Sequence, residues 1–352
     1  RQPEDMGMSL DLGRPMGDLD AAHPTDAQSM GGEPPDATVA VPPVDGAVVG
    51  VDGMTPVPPK RYTVAVISDL NGSYGSTEYR STVHDAIRWI IDELEPELVL
   101  STGDMVAGQQ AGLDYAAMWA GFHAAVSDPL QMAGIPFAPT PGNHDGSAYG
   151  GFVGERAQYV REWQARRPDV AMVDDEFYPL RYAFTHGPAL FVSLDDTTVG
   201  ALSNEQMMWL DDVLATHGEQ PVKIVYGHLP IVPFSQGRER EIIGDDNLEA
   251  LLKRHRVTVF ISGHHHSYYP GRRDTLRHYS MACLGSGPRR LLGEDTVSAR
   301  AVAVLEYSEA GLHRFEAWTG PDFDGAMPHG AFPLQIESDG WVTVRDDSLQ
   351  VP

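Results

Sequence analysis

Val257-Thr258-Val259-Phe260-Ile261-Ser262-Gly263-His264-His265-His266 joins a run rich in β-branched residues to three consecutive histidines. A short apolar run bounded by glycine reads as a strand buried on both faces, so the histidines fall at its carboxyl end. Three other places repeat the design: Thr63 to Ile67 before Asp69, Leu98 to Leu100 before Gly103-Asp104, and Val222 to Val225 before His228. Gly142-Asn143-His144-Asp145 adds a fifth ligand-rich run. Ligands spread this widely serve one centre only if a sheet brings strand ends together, and in open α/β sheets ligands gather at those ends.

Between the runs the period changes. Val83, Ile87, Ile90 and Leu94 share one face at helical spacing, which predicts a helix from Ser81 to Leu94 stopped by Pro96. Ser203-Asn204-Glu205-Gln206 reads as a capping box ahead of Met207, Leu210, Val213 and Leu214, with Gly218 ending the helix. Asp245 or Asp246 caps a third helix through Leu252. Strand and helix alternate, which predicts an α/β layered domain. Ala299 to Tyr307 and Leu312 to Trp318 flank Glu309-Ala310-Gly311 as an antiparallel hairpin, and Trp341 to Arg345 reads as one more strand.

The formal net charge is −25, with Lys60, Lys223 and Lys253 the only lysines. So acidic a chain repels the phosphate backbone of nucleic acid, which argues against general nucleic-acid binding. Cys283 is the only cysteine, so neither an internal disulfide nor a Cys-based zinc site forms within the chain; it reads as a small buried residue after a strand at His278 to Ala282. No stretch reaches the roughly 18 apolar residues of a transmembrane helix. Residues 1–59 are acidic and rich in Pro and Gly, without a sustained period, and read as a flexible disordered tether, with Thr38 to Val51 a candidate extended docking segment. A tether of this kind after a removed leader suits an exported protein, whether periplasmic, surface-tethered or extracellular; a trimmed cytoplasmic chain is the alternative. The expected organisation is a tether over 1–59, a catalytic domain over 60–320 and a C-terminal extension over 321–352 that packs on the domain or trails from it.

Carboxylate, imidazole and amide oxygen are donors suited to Zn, Fe or Mn. Two such ions a few ångströms apart neutralise phosphoryl oxygens and make hydroxide available near neutral pH. A carboxylate can bridge both, and Asp104 is the natural central ligand.

The order Asp69, Gly103-Asp104, Gly142-Asn143-His144-Asp145, His228, Gly263-His264-x-His266 resembles the calcineurin-like metallophosphoesterase family, over about residues 60 to 320. Phe191-Val192-Ser193-Leu194-Asp195 followed by Gln206-x-x-Trp209-Leu210 is similar to its purple acid phosphatase branch. The resemblance implies an αββα sandwich and a dinuclear centre of divalent or trivalent ions, with Zn, Fe or Mn expected and Ca admitted. It implies Asp69, Asp104 and His266 on a first metal and Asp104, Asn143, His228 and His264 on a second. His144 would then assist the leaving group, oriented by a carboxylate for which Asp145 is a candidate. Two positions depart from the pattern. Asp69-Leu70-Asn71 stands where the family has Asp-x-His, so Asn71 is either a weak oxygen ligand or, before Gly72, a turn residue. Ala107 stands where purple acid phosphatases carry an iron-binding tyrosine.

The implied function is metal-dependent hydrolysis of a small phosphorylated substrate, a phosphomonoester first and a phosphodiester as alternative. A phospho-ligand binding module that has lost catalysis is the reading from another class. A metallo-β-lactamase-type site fails, because Ser267-Tyr268-Tyr269 follows His266. Arg289 and Arg290 are candidate substrate residues, as are Arg238 and Arg240 in the loop after His228. Tyr74, Tyr149, Tyr268 and Tyr269 are candidate pocket walls. His265 is expected to point away from the ligands on an extended segment. Oligomeric state has no signature in the sequence.

Overall fold

A computed structural model describes residues 59–349; the expected tether, including its docking segment at 38–51, lies outside the described residues except for Pro59. The strands are β1 (Tyr62–Ile67), β2 (Leu98–Ser101), β3 (Phe137–Pro139), β4 (Ala171–Asp174), β5 (Tyr182–His186), β6 (Ala189–Ser193), β7 (Val222–Tyr226), β8 (Val259–Ser262), β9 (Tyr269–Arg273), β10 (Leu276–Ser280), β11 (Ala301–Ser308), β12 (Gly311–Thr319), β13 (Gln335–Ser338) and β14 (Trp341–Arg345). They form a five-stranded sheet in the order β12-β11-β1-β2-β3 and a nine-stranded sheet in the order β13-β14-β9-β10-β8-β7-β6-β5-β4. β1, β2 and β3 run parallel, and so do β6, β7, β8 and β10.

Side-chain alternation explains why these runs look uniformly apolar. In β6, Ala189 and Phe191 enter one buried cluster while Leu190 and Val192 enter a second; in β8, Val259 and Ile261 enter the first and Phe260 the second. The first cluster joins the facing sheets to helices α1 (Ser81–Trp89), α2 (Tyr115–Phe122) and α5 (Val153–Ala165); the short helices α3 (Asp128–Met132) and α4 (Asn143–Gly146) lie between α2 and α5 in the chain. The second joins the large sheet to α6 (Asn204–Thr216) and α7 (Asp246–Arg254) through Leu210, Val213, Leu214, Leu248 and Leu252. Both sheets are covered on both faces, giving an αββα sandwich.

Two local expectations change. The helix from Ser81 is α-helical only to Trp89 and continues as a π-helical turn over Ile90–Leu94. Pro96 cannot extend the ladder, and Glu95, at φ 46°, closes it by donating its N–H to the Ile90 carbonyl at 3.0 Å. Ser203 caps α6 by accepting the Gln206 N–H at 3.2 Å, but Gln206 does not reach back to complete the box. Its amide instead accepts from Asp195 N and donates to Asp195 O, at 2.8 and 2.9 Å, tying α6 to the segment after β6. In the C-terminal region β14 pairs with β9, so this stretch adds an edge to the large sheet.

Candidate metal centre

Asp69, Asp104, Asn143, His228, His264 and His266 follow the carboxyl ends of β1, β2, β3, β7 and β8, from both sheets. Backbone bonds lace these ends together: Asp69 N–H donates to Gly103 O (3.1 Å), Leu70 N–H to Asp104 O (2.9 Å) and Gly263 N–H to His228 O (3.0 Å). The turns are tight enough that Asp69, Asp104, His264 and His266 all adopt positive φ, between 49° and 62°. Each such residue costs on the order of 1–3 kcal/mol and persists only when its surroundings over-determine it. The Asp69 carbonyl, for example, accepts two N–H groups, from Gly285 (3.0 Å) and Ser286 (3.1 Å). The glycines of two motifs answer to one close approach: a Cβ on Gly142 would lie 2.2 Å from both N and Oδ1 of Asp104, and one on Gly103 would lie 2.7 Å from Gly142 Cα.

Ligand atoms of Asp69, Asp104 and His266 lie within 4.8 Å of one another, all three residues buried. Asp69 Oδ2 is used by the protein, accepting Ser68 Oγ–H at 2.5 Å and His264 N–H at 3.2 Å. Asp69 Oδ1 is buried without a hydrogen bond, 3.0 Å from His266 Nε2. That ring already donates Nδ1–H to Gly287 O at 2.8 Å, so the neutral imidazole turns a lone pair toward the carboxylate. The same opposition recurs at His228, whose Nδ1–H donates to Thr102 O (2.8 Å) while Nε2 faces Asn143 Oδ1 (2.8 Å) and Asp104 Oδ1 (3.4 Å). Asn143 is turned this way because its Nδ2–H is donated to Gln109 Oε1 at 2.9 Å. Buried acceptors aimed at each other are costly unless a cation lies between them or a second ring proton is added; the donor set therefore fits metal ions. For Asp69, burial pushes the carboxyl pKa up, but the neighbouring His266 and His228 rings and the Ser68 hydroxyl outweigh it and hold it below the ordinary carboxylate value.

His264 departs from the Nδ1-to-carbonyl pattern. Its Nε2 meets Glu241 Oε2 at 2.9 Å, which leaves Nδ1 as its ligand atom, and its ring lies 5.0 Å from that of His228. Burial and neighbouring His228 push its pKa well down, favouring the neutral ring that a metal needs. His265 is fully buried behind the centre, its Nδ1 accepting the N–H groups of Phe234 and Ser235 (3.1 and 3.3 Å) and its Nε2 donating to the Glu241 carbonyl (3.1 Å).

The structure corrects the expected partner of His144. The His144 Nδ1–H donates to Gly108 O at 3.0 Å, and Nε2 points inward, 4.0 Å from Asp104 Oδ2. Asp145 does not orient this ring: its carboxylate accepts the N–H groups of Val106 (2.8 Å) and Gly142 (3.0 Å), so it is a clasp between two ligand loops. Burial and the Asp104 charge push its pKa well up. Asn71 Oδ1 accepts from Ser286 Oγ, and Nδ2 approaches Val106 O at 3.4 Å; the amide is engaged by protein at both ends. Arg290 is exposed and donates Nε–H to Asp295 O within its own loop (2.9 Å), whereas Arg238 pairs with Glu241, the carboxylate that meets His264. Arg289 donates its backbone N–H to His266 O at 3.3 Å, and its charge bears on His265 and Cys283. Tyr268 and Tyr269 are buried and cannot wall a pocket, whereas Tyr74 and Tyr149 are exposed.

Four supporting residues had no local signal in sequence: Gln109, Glu241, Thr102 and Glu155. Glu155 is buried on α5 and accepts the Gln109 N–H at 2.5 Å, bracing the loop whose carbonyl and side chain orient His144 and Asn143.

A probable glycerophosphodiester phosphodiesterase of Arcobacter nitrofigilis is 23% identical over 276 residues, covering 75% of this chain and 89% of that protein. A probable cyclic nucleotide phosphodiesterase of Moraxella catarrhalis is 28% identical over 183 residues, covering 50% of this chain and 60% of its own length. Among solved structures, a purple acid phosphatase from yellow lupin seeds superposes with a TM-score of 0.56 at 19% identity, over 74% of this chain and 52% of that one, and so shares the fold. Residues 62–268, more than half of the chain, match the calcineurin-like phosphoesterase family, and the chain belongs to that family of phosphoester hydrolases.

Proposed function

We propose that the protein hydrolyses phosphodiesters with two metal ions, the first held by Asp69, Asp104 and His266 and the second by Asp104, Asn143, His228 and His264. The observation that carries this reading is the position of Asp104, whose Oδ1 lies 3.4 Å from His228 Nε2 while its ligand atom also groups with Asp69 and His266. When bound, the ions supply charge to the non-bridging phosphoryl oxygens and acidity to the attacking water. Asn143 and His228 are pre-oriented by Gln109 and Thr102, so binding requires little reorganisation of these side chains. His144, its Nδ1 fixed by Gly108 O and its side chain partly exposed, presents Nε2 to hand a proton to the departing oxygen.

Two observations favour a diester over the monoester expected from sequence. Both curated relatives are named phosphodiesterases. Arg290 is tied into its own loop and the Arg238 charge is met by Glu241, in a chain of net charge −25, which suits a monoanionic diester better than a dianionic monoester.

The test is to load the protein with Mn2+ or Zn2+, count ions per chain, and compare bis-p-nitrophenyl phosphate with p-nitrophenyl phosphate. Two ions and a higher kcat/KM on the diester are expected. Asp104→Asn removes the shared charge, so both ions and turnover should fall by orders of magnitude. A wild-type chain holding two ions but inert on both esters would refute hydrolysis, and a monoester preference would return the reading to a phosphomonoesterase.

A further inference from the structure

Tyr74 is 57% exposed on a turn that the fold holds at both ends. Asn71 is bonded to Ser286, Gly75 N–H donates to Ala107 O at 3.0 Å, and Ser76 N–H closes the turn on Ser73 O at 2.9 Å. The Tyr74 ring lies beside His144, with centroids 5.5 Å apart and planes at 49°. Its hydroxyl makes no hydrogen bond among the described residues, so the turn does not use the side chain as an anchor. A second exposed aromatic, Tyr149 (45%), follows His144 by five positions, and its hydroxyl accepts the Val199 N–H at 3.2 Å.

A large ring left in water on an anchored turn gives up the stabilisation that burial would bring, while the anchored backbone and the contact with His144 lower the cost of ordering it under a ligand. Its location decides what that ligand is. An ester oxygen within hydrogen-bonding reach of His144 Nε2 belongs to the departing alcohol, and the next group of that alcohol lies about one ring away from Tyr74. Aromatic pairs favour centroid separations of 4.5–7 Å.

We propose that Tyr74 is a specificity-determining platform that stacks on a planar ring carried by the departing alcohol, so that the site takes aryl or nucleoside esters ahead of esters of aliphatic alcohols. This rests on the phosphoesterase reading, in which His144 faces the departing oxygen. Stacking tolerates any base or aryl face, so the platform selects for the ring and not for its hydrogen-bonding edge.

The experiment is calorimetric titration of the Mn2+-loaded full chain with slowly hydrolysed methyl phosphorothioate diesters of adenosine, phenol and ribose. The adenosine ester, the phenyl ester or both should bind about tenfold tighter than the ribose ester, in the range of one base–aromatic stack; which of the two does so identifies a nucleoside or an aryl ligand. Tyr74→Phe should keep that ratio. Tyr74→Ala should bring the ring-bearing esters down to the ribose ester, leaving the ribose affinity and the metal content unchanged. Equal binding of all three esters by the wild type would overturn the proposal, as would a uniform weakening in Tyr74→Ala, which would make Tyr74 a prop for His144. Ring-dependent binding without hydrolysis of any ester would leave the platform standing and remove the phosphoesterase reading instead.

Discussion

His265 shows how much of a metal site is built from residues that hold no metal. Between two candidate ligands, its ring is turned into the protein, where it accepts two backbone N–H groups and donates to Glu241 O. That carbonyl belongs to the residue whose carboxylate meets His264, so one imidazole positions the partner of another. Burial drives the His265 pKa from 6.5 down to about 3. A histidine whose folded pKa is lowered contributes stability fully above its unfolded value and loses it as pH falls from about 6.5 toward 3, because the unfolded chain then binds the extra proton. The cost of His265→Asn should therefore be largest at pH 7–8 and shrink by pH 4, when the wild type alone forgoes that protonation. Urea unfolding of the metal-free protein at both pH values checks this; a penalty independent of pH would mean that His265 titrates normally in the fold. Asn71 shows the opposite case, a motif position whose amide the protein itself engages through Ser286 and Val106.

At the scale of elements, helix α5 braces the loop behind the centre through Glu155. Its carboxylate accepts the Gln109 N–H, Gln109 turns Asn143, and Gly108 aligns His144. Burial pushes the Glu155 pKa up, and Gln keeps the shape and one carbonyl oxygen to accept the Gln109 N–H. Glu155→Ala should release the loop, lowering occupancy of the second ion and cutting kcat about ten- to a hundredfold, whereas Glu155→Gln should largely restore both. Metal counting on the two variants decides; equal loss in both would show that the carboxylate charge matters and not its grip on the loop. These contacts also mark the limit of what is legible in sequence. β1, β2, β7 and β8 are readable because sheets buried on both faces demand apolar runs, and Gly103 and Gly142 mark their ligands because no Cβ fits there. Glu155 and Gln109 lie 46 positions apart, and Glu241 and His264 lie 23 apart, so only tertiary folding brings them together. The three-residue β3 and the half-exposed β4 are too short or too mixed to carry a period.

For the whole molecule, the edge formed by β13 and β14 is joined to the large sheet by charge as well as by strand pairing. Asp346, just after β14, is buried; its Oδ2 accepts Arg277 Nε–H at 2.7 Å and Tyr279 O–H at 2.6 Å, and its backbone N–H donates to Pro270 O at 2.7 Å. Burial pushes this carboxyl pKa up, but bonds from Ser348 and Tyr279 and the Arg277 charge outweigh it and hold it below the ordinary value. Removing one partner of such a buried pair leaves the other charge desolvated, which typically costs 3–5 kcal/mol; Arg277 keeps some access to water (19% exposed), so about 3 kcal/mol is the better figure. Asp346→Ala should lower the denaturant midpoint accordingly, with the slope of the transition unchanged. A chain ending at residue 320 should do worse, because it loses Asp346 and also leaves the β9 edge unpaired beside Arg277 and Tyr279, an invitation to edge-to-edge association. Solubility and denaturant melts of the two variants test whether the catalytic fold extends past residue 320. If the truncated chain stays soluble and melts like the full one, residues 321–352 are an appendage and the Asp346 pair contributes nothing to the sandwich.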